Sequence, residues 1–135
     1  MLLEEINKRL MRRAPADFSC CNLRGVDFSE RSLFNANFRG ADLEGANFHK
    51  AILNYANFIF ANLKGAIFSE CILVSASFYY ANLENANFSG AKINHADFQL
   101  TNIKSTKLDN CSGFYTIEDQ FLILDGYYVA RRNSH

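Results

Sequence analysis

Counted in fives from Phe18, every stop as far as Leu108 is a large apolar residue, and Phe and Leu alternate for most of the way. The series opens Phe18, Leu23, Phe28, Leu33, Phe38 and closes Phe88, Ile93, Phe98, Ile103, Leu108. Nineteen consecutive pentapeptides carry it without an insertion. Two residues before each stop sits a small residue, from Ala16, Cys21 and Val26 to Ala96, Thr101 and Thr106, and Arg31 alone breaks the rule. A period of five is neither the roughly 3.6 of a helix nor the roughly two of a strand, so no ordinary layered domain is encoded. It is the pattern of a solenoid, in which each unit buries its apolar group only by stacking on its neighbours.

The 135 residues make one domain, and nine of the thirteen Phe are repeat centres. Lys plus Arg balances Asp plus Glu at fourteen each, and residues 16–110 hold nine acids against eight bases. Near-neutrality removes the electrostatic case for direct nucleic-acid binding, which needs a basic stripe. It also weakens the opposite case, an acidic rod that imitates DNA. Glu4 and Glu5 with no long apolar core argue against a secretory signal, and no apolar run approaches a membrane span. Cys21, Cys71 and Cys111 occupy the small inward position where Ala is usual, while Cys20 is adjacent to Cys21 and should point the other way. The cysteines therefore read as reduced thiols in a cytoplasmic protein rather than a disulfide framework.

Units such as Ala36-Asn37-Phe38-Arg39-Gly40 and Ala41-Asp42-Leu43-Glu44-Gly45 resemble the pentapeptide-repeat family over about residues 16–110. The resemblance implies an all-β solenoid, a right-handed quadrilateral β-helix with four pentapeptides per coil. Nineteen units then give about 4.75 coils, a rod of roughly 23 Å at a strand spacing of about 4.8 Å. A twenty-residue coil has independent support. Every twentieth residue from Arg24 alternates in sign (Arg24, Glu44, Lys64, Glu84, Lys104), and Glu30, Lys50 and Glu70 do the same elsewhere. Such columns read as ladders in which each charge meets its opposite. Gly25, Gly45, Gly65 and Asn85 stack in another column and predict type II turns on that face alone, since Gly and Asn accept positive φ. Faces with Tyr55, Phe60, Tyr80 or His95 at the equivalent position should not use them. Asn and Asp before the centres read as structural ladders bonding turn backbone.

A solenoid needs both ends covered. Residues 1–14 read as an amphipathic capping helix, with Leu2, Leu3, Ile6, Leu10 and Met11 at helical spacing and Pro15 as the break before a β-helix of residues 15–112. Lys8, Arg9, Arg12 and Arg13 offer the rival reading of a helix on an anionic membrane, which Glu4 and Glu5 offset. The repeat stops at Gly113, where a centre would fall. In the tail, 113–135, apolar runs on either side of Asp125-Gly126 read as a hairpin, and a helix from Thr116 is the alternative. Phe114, Tyr115, Phe121, Leu122, Leu124, Tyr127 and Tyr128 make this tail a cap or a homodimer contact. Family members that dimerise do so through C-terminal segments.

No catalytic, cofactor or metal site is legible. His49, His95 and His135 are scattered, the repeat cysteines lack a nearby base, and no carboxylate or thiol has triad or metal-ligand spacing. The informative departures are apolar residues where solvent-facing ones belong. Ile52 and Ile72 replace Asn or Asp; Phe34, Tyr55 and Val74 lie beside them; Ile59, Phe60, Tyr79, Tyr80 and Leu100 cluster on the adjoining face. Together they predict a contiguous aromatic-aliphatic surface across one corner, and such patches mark interaction sites. Cover by a terminus is the competing explanation. Arg31 reads as a local bulge that frees its side chain toward Glu30. The chain thus reads as a non-enzymatic protein-interaction scaffold for an unidentified partner. The alternative is a DNA mimic directed at gyrase, similar to the quinolone-resistance pentapeptide proteins, from which it departs in its shortness, its lack of inserted loops and its lack of a strongly acidic surface.

Overall fold

The computed structural model describes residues 1–117 and 120–125. Parallel bridges join residues twenty apart along the whole stack, from Asp17 with Asn37 and Asn22 with Asp42 to Lys92 with Ser112, so four pentapeptides make one coil. Within the stack the N–H of a centre donates to the next coil, as Phe18 does to the Asn37 carbonyl at 2.7 Å, and the residue before a centre donates to the previous coil, as Asn37 does to the Ala16 carbonyl at 2.9 Å. A third bond closes each corner: the small residue donates to the centre three residues earlier, as Ala61 does to the Phe58 carbonyl at 3.0 Å.

Four faces result. Face I is centred on Phe18, Phe38, Phe58, Phe78 and Phe98; face II on Leu23 to Ile103; face III on Phe28, Phe48, Phe68, Phe88 and Leu108; face IV on Leu33, Leu53, Leu73 and Ile93. Phenylalanine thus lines two opposite faces. Rings within each column stack 4.8–5.3 Å apart, and rings of the two columns meet edge to face at 5.5–5.7 Å. Both are favoured aromatic geometries. The centres from Phe18 to Phe98 are buried with the intervening alanines, and no polar or charged residue is buried among the described residues.

The turn expectation needs correcting. The third turn residue has φ between 55° and 74° at all nineteen corners from Cys20 to Asn110, including Tyr55, Phe60, Tyr80 and His95. Left-handed backbone costs an L-residue about 1–2 kcal/mol. From Cys20 to Gly90 each corner offsets this with the turn bond and with an inter-coil bond donated by the positive-φ residue, as from Tyr55 to the Val74 carbonyl at 3.0 Å. The stack imposes the turn whatever the local propensity.

The charge ladders also form only in part. Arg24 pairs with Glu44 at 3.2 Å and with Asp42 at 3.4 Å. Among the described residues Lys64, Lys104, Glu30 and Lys50 make no ion pair, and Glu70 turns to His49 at 3.5 Å. Exposed pairs gain at most about 1 kcal/mol, too little to hold long side chains in register. The amides of Asn62 and Asn102 reach Glu44 and Glu84 instead, each at 3.5 Å.

At the N-terminal end, helix α1 (Leu3–Leu10) lies against the first coil through buried Ile6 and partly buried Leu10. Leu2, Leu3 and Met11 stay exposed, so the cap uses only part of the apolar face that the sequence offers. Arg9 fixes the helix: it pairs with Glu5 at 3.2 Å, donates to the Asp17 carbonyl at 2.7 Å and lies 5.8 Å over the Phe18 ring. Arg31 causes no bulge. Its turn bond to Phe28 and the bond from Ile52 to its carbonyl are both in register, and its guanidinium donates to Asn7 of α1 at 3.2 Å. The position accepts Arg because it belongs to the first coil, with the helix rather than another coil before it.

At the other end, strand β1 (Ala96–Asp97) pairs in parallel with β2 (Ser112–Ile117), which pairs antiparallel with β3 (Gln120–Asp125). β2 and β3 therefore form a hairpin, with Ile117 paired to Gln120 and Ser112 to Asp125. The strand expected after Asp125-Gly126 lies outside the described residues. Thr116 lies in β2, which excludes a helix beginning there. Ala96 pairs with Tyr115, nineteen residues on rather than twenty. The shortened step falls at Gly113, where φ is 112° and a β-carbon would lie 2.6 Å from the Asn94 nitrogen. No centre fits there, which is why the repeat stops. Phe114 and Tyr115 lie on β2, and Phe121, Leu122 and Leu124 on β3; Tyr127 and Tyr128 lie outside the described residues.

Candidate protein-interaction surface

Each pentapeptide turns three positions outward: the residue before the centre and the two after it. Asn or Asp before the centre has a definite task. Its side-chain oxygen accepts the N–H two residues on, as Asn57 does from Ile59 at 2.9 Å and Asn47 from His49 at 2.9 Å. Several amides also bond between coils, as Asn62 does to Asp42 at 3.0 Å. An Ile at that position can accept nothing, so Ile52 and Ile72 forgo a bond the fold otherwise makes. They bridge one another on face IV, with Ile52 40% exposed and Ile72 half-buried.

The structure resolves the expected patch into two strips. On the corner between faces IV and I, Phe34 and Tyr55 meet edge to face at 5.6 Å, with half-buried Val74 in the Phe34 column. The Oδ1 of Asn54, in that same column, is buried without a hydrogen-bond partner. On the corner between faces I and II, Phe60 stacks on Tyr80 at 5.2 Å and Tyr79 meets Tyr80 edge-on at 4.7 Å. Ile59 and Leu100 are half-buried alongside. Phe60 and Tyr80 are each about half exposed, at 51% and 49%. Between the strips runs the polar column of Asn37, Asn57 and Ser77.

Two residues were not found from sequence, one in the strip between faces I and II and one on the far side of the stack. Arg39 lies 4.9 Å over the Phe60 ring, a contact that needs the twenty-residue stacking to be visible. Ile67, 36% exposed on face III, stands between Asn47 and Asn87. Its signal was of the kind that identified Ile52 and Ile72, an isoleucine where Asn or Asp is usual before a centre.

Stacking also brings together residues that sequence kept apart. His49 Nδ1 lies 2.7 Å from Ser69 Oγ, and its Nε2 lies 3.5 Å from Glu70. The cluster sits on the open corner between faces III and IV, away from the clefts beside α1 that Arg9, Arg12 and Pro15 line in one case and Leu10, Ser32 and Phe34 in the other. No wall there excludes water, so the trio is a surface hydrogen-bond chain. Among the described residues no group of His, Cys, Asp and Glu is placed to hold a metal, and no helix is long and apolar enough to cross a membrane.

The four cysteines are free. Cys71 and Cys111 donate to the carbonyls of Phe48 and Phe88 at 2.7 and 2.9 Å, and burial pushes both thiols up to about 12. Protonated thiols of this kind are poor nucleophiles.

The family model for pentapeptide repeats matches residues 32–69 and 71–111, in eight copies. A solved structure of a pentapeptide repeat protein from the Arabidopsis thaliana thylakoid lumen is 32% identical, with a TM-score of 0.69, over 70% of this chain and 66% of that one. One from the cyanobacterium Cyanothece 51142 is 26% identical, with a TM-score of 0.61, over 80% and 67%. QnrB1, a plasmid-mediated fluoroquinolone resistance protein, is 25% identical, with a TM-score of 0.54, over 73% of this chain and half of its own. These neighbours are right-handed quadrilateral β-helices. Compared by sequence with curated proteins, the chain matches none.

Proposed function

The chain belongs to the pentapeptide-repeat family, and on that premise we propose that it is a non-enzymatic interaction scaffold whose aromatic strips dock a protein partner. Pentapeptide-repeat proteins are generally scaffolds of this kind. One observation carries the proposal. The positions that satisfy the fold's own backbone are given up to isoleucine on face IV, and exposed aromatics gather on the two corners that flank face I, next to it. Neither departure serves the stack. Aromatic residues with an arginine among them are the composition of binding hot spots. The test is retention of a partner by the intact chain and by a Tyr79→Ser, Tyr80→Ser variant, with Ser89→Ala on face III as control. Equal retention by all three would sink the proposal.

The likeness to QnrB1 supports a second reading, occupation of a topoisomerase in place of DNA. Mixed-sign columns such as Arg24 beside Glu44 oppose it, because a DNA mimic needs aligned negative charge. A gyrase supercoiling assay separates the two, and no inhibition or protection by the protein leaves only the first.

Two further expectations belong to this proposal. The outer strand β3 is unpaired on one edge among the described residues, which suits a homodimer joined through the C-terminal hairpin. A reducing, cytoplasmic setting suits buried, protonated Cys71 and Cys111. The Arabidopsis neighbour belongs to the thylakoid lumen.

A further inference from the structure

We infer that Arg39 selects the partner: the strip between faces I and II accepts a protein segment that offers a carboxylate beside an apolar or aromatic side chain. This presupposes the docking role proposed above and names the chemistry of its occupant.

The pentapeptides that build the two strips through the middle of the stack, residues 36–40, 51–60 and 71–80, contain one charged side chain, Arg39. Charge elsewhere on the repeats is mixed and partly paired, as in Arg24 with Glu44 and Asp42. Arg39 forms no ion pair among the described residues. Its guanidinium instead lies 4.9 Å over Phe60, which stacks on Tyr80, which meets Tyr79. The result is a cation at one end of an aromatic row about half open to solvent.

A lone cation suits a free surface, because water solvates it. It does not suit a surface covered by a purely apolar partner, because covering Phe60 and Tyr80 also strips water from the guanidinium that rests on Phe60. An uncompensated buried charge is strongly unfavourable, so the occupant must supply the counter-ion. A carboxylate fits best: the guanidinium fork offers it two parallel N–H donors, and the ring beneath holds the fork in place. A basic segment is rejected by the same charge. Arg39 thus provides specificity and the aromatic row provides area, the usual division in such interfaces.

The experiment is selection from a random peptide library on the full-length protein, followed by affinity measurement of the enriched peptides on three variants: Arg39→Gln, Arg39→Glu, and Phe60→Ser with Tyr80→Ser. All three alter exposed side chains, and a thermal melt of each establishes that the stack is intact. The expected peptides carry Asp or Glu next to an apolar residue and lose about tenfold or more in affinity on Arg39→Gln. Selection on Arg39→Glu is expected to replace the acid with Lys or Arg. Peptides that bind Arg39→Gln and Arg39→Glu as well as the native chain, yet fail on the double serine variant, overturn the role of Arg39 and leave the docking reading standing. Enriched peptides indifferent to all three variants, or no enrichment, overturn both.

Discussion

Ile52 bridges Ile72 one coil away on face IV, and neither can accept the turn N–H that Asn57 accepts from Ile59 on the neighbouring face. The same position is thus structural on one face and free for another use on the next. Asn57→Ala should lower stability by about 0.5–1.5 kcal/mol, the worth of one such bond. Ile52→Asn restores an acceptor and should change stability by less than about 1 kcal/mol. Chemical denaturation of the two variants checks both. A large loss on Ile52→Asn would make the isoleucine pair part of the core instead of an addition to the surface.

Gly113→Ala places a β-carbon 2.6 Å from the Asn94 nitrogen at a φ of 112°. It should weaken the hairpin by about 1–3 kcal/mol. In a stack where each coil contacts only its neighbours, the loss should stay local. Hydrogen exchange should therefore quicken in β2 while the coils around Phe38 and Phe58 keep their protection.

Ile6 is the one fully buried side chain of α1. Ile6→Ala should cost about 2–4 kcal/mol and loosen the cap, read as faster exchange at the amides of the first coil. Leu3→Ala, on an exposed residue of the same helix, should leave that exchange unchanged.

Burial raises the folded-state thiols of Cys71 and Cys111 from an ordinary value of 9.0 to about 12. Unfolded thiols release their protons first as pH rises, so the stabilisation is complete below about pH 9 and is lost progressively toward pH 12. Cys71→Ala, which installs the usual residue of that position, should flatten part of this alkaline decline in denaturation curves. Alkylation of the folded protein at neutral pH should modify exposed Cys20 and spare Cys71 and Cys111.

The stack was legible in the sequence because its interior repeats without a break: Phe38, Leu43 and Phe48 fix the spacing of five, and the bridges then fix the coil at twenty. The turns were misjudged because propensity is local. Tyr55 and Phe60 adopt the conformation of glycine when two backbone bonds hold them there. Arg31 was misread for lack of its partner, since Asn7 lies twenty-four residues away on a helix whose placement no repeat encodes. The pairing of β2 was not legible, because the shortened step at Gly113 that sets its register breaks the repeat; the second strand of the hairpin expected around Asp125-Gly126 lies outside the described residues. On the outer surface, isoleucine in place of the Asn or Asp usual before a centre revealed Ile52 and Ile72. Arg39 over Phe60 is a relation between coils, invisible along the chain.

A homodimer joined through the C-terminal segment would double the mass seen by light scattering of the full-length protein, with the ratio rising with concentration. A monomer mass at every concentration would assign the hairpin to capping alone.

The central claim is that the side of the stack bearing Phe60 and Tyr80 meets another protein. Site-specific photocrosslinking in cells tests it most directly, with Tyr80→p-benzoylphenylalanine as the probe and Glu84→p-benzoylphenylalanine, on the corner between faces II and III, as the control. One discrete adduct is expected from position 80 and none from position 84. The same adducts from both positions, or none from either, would contradict it.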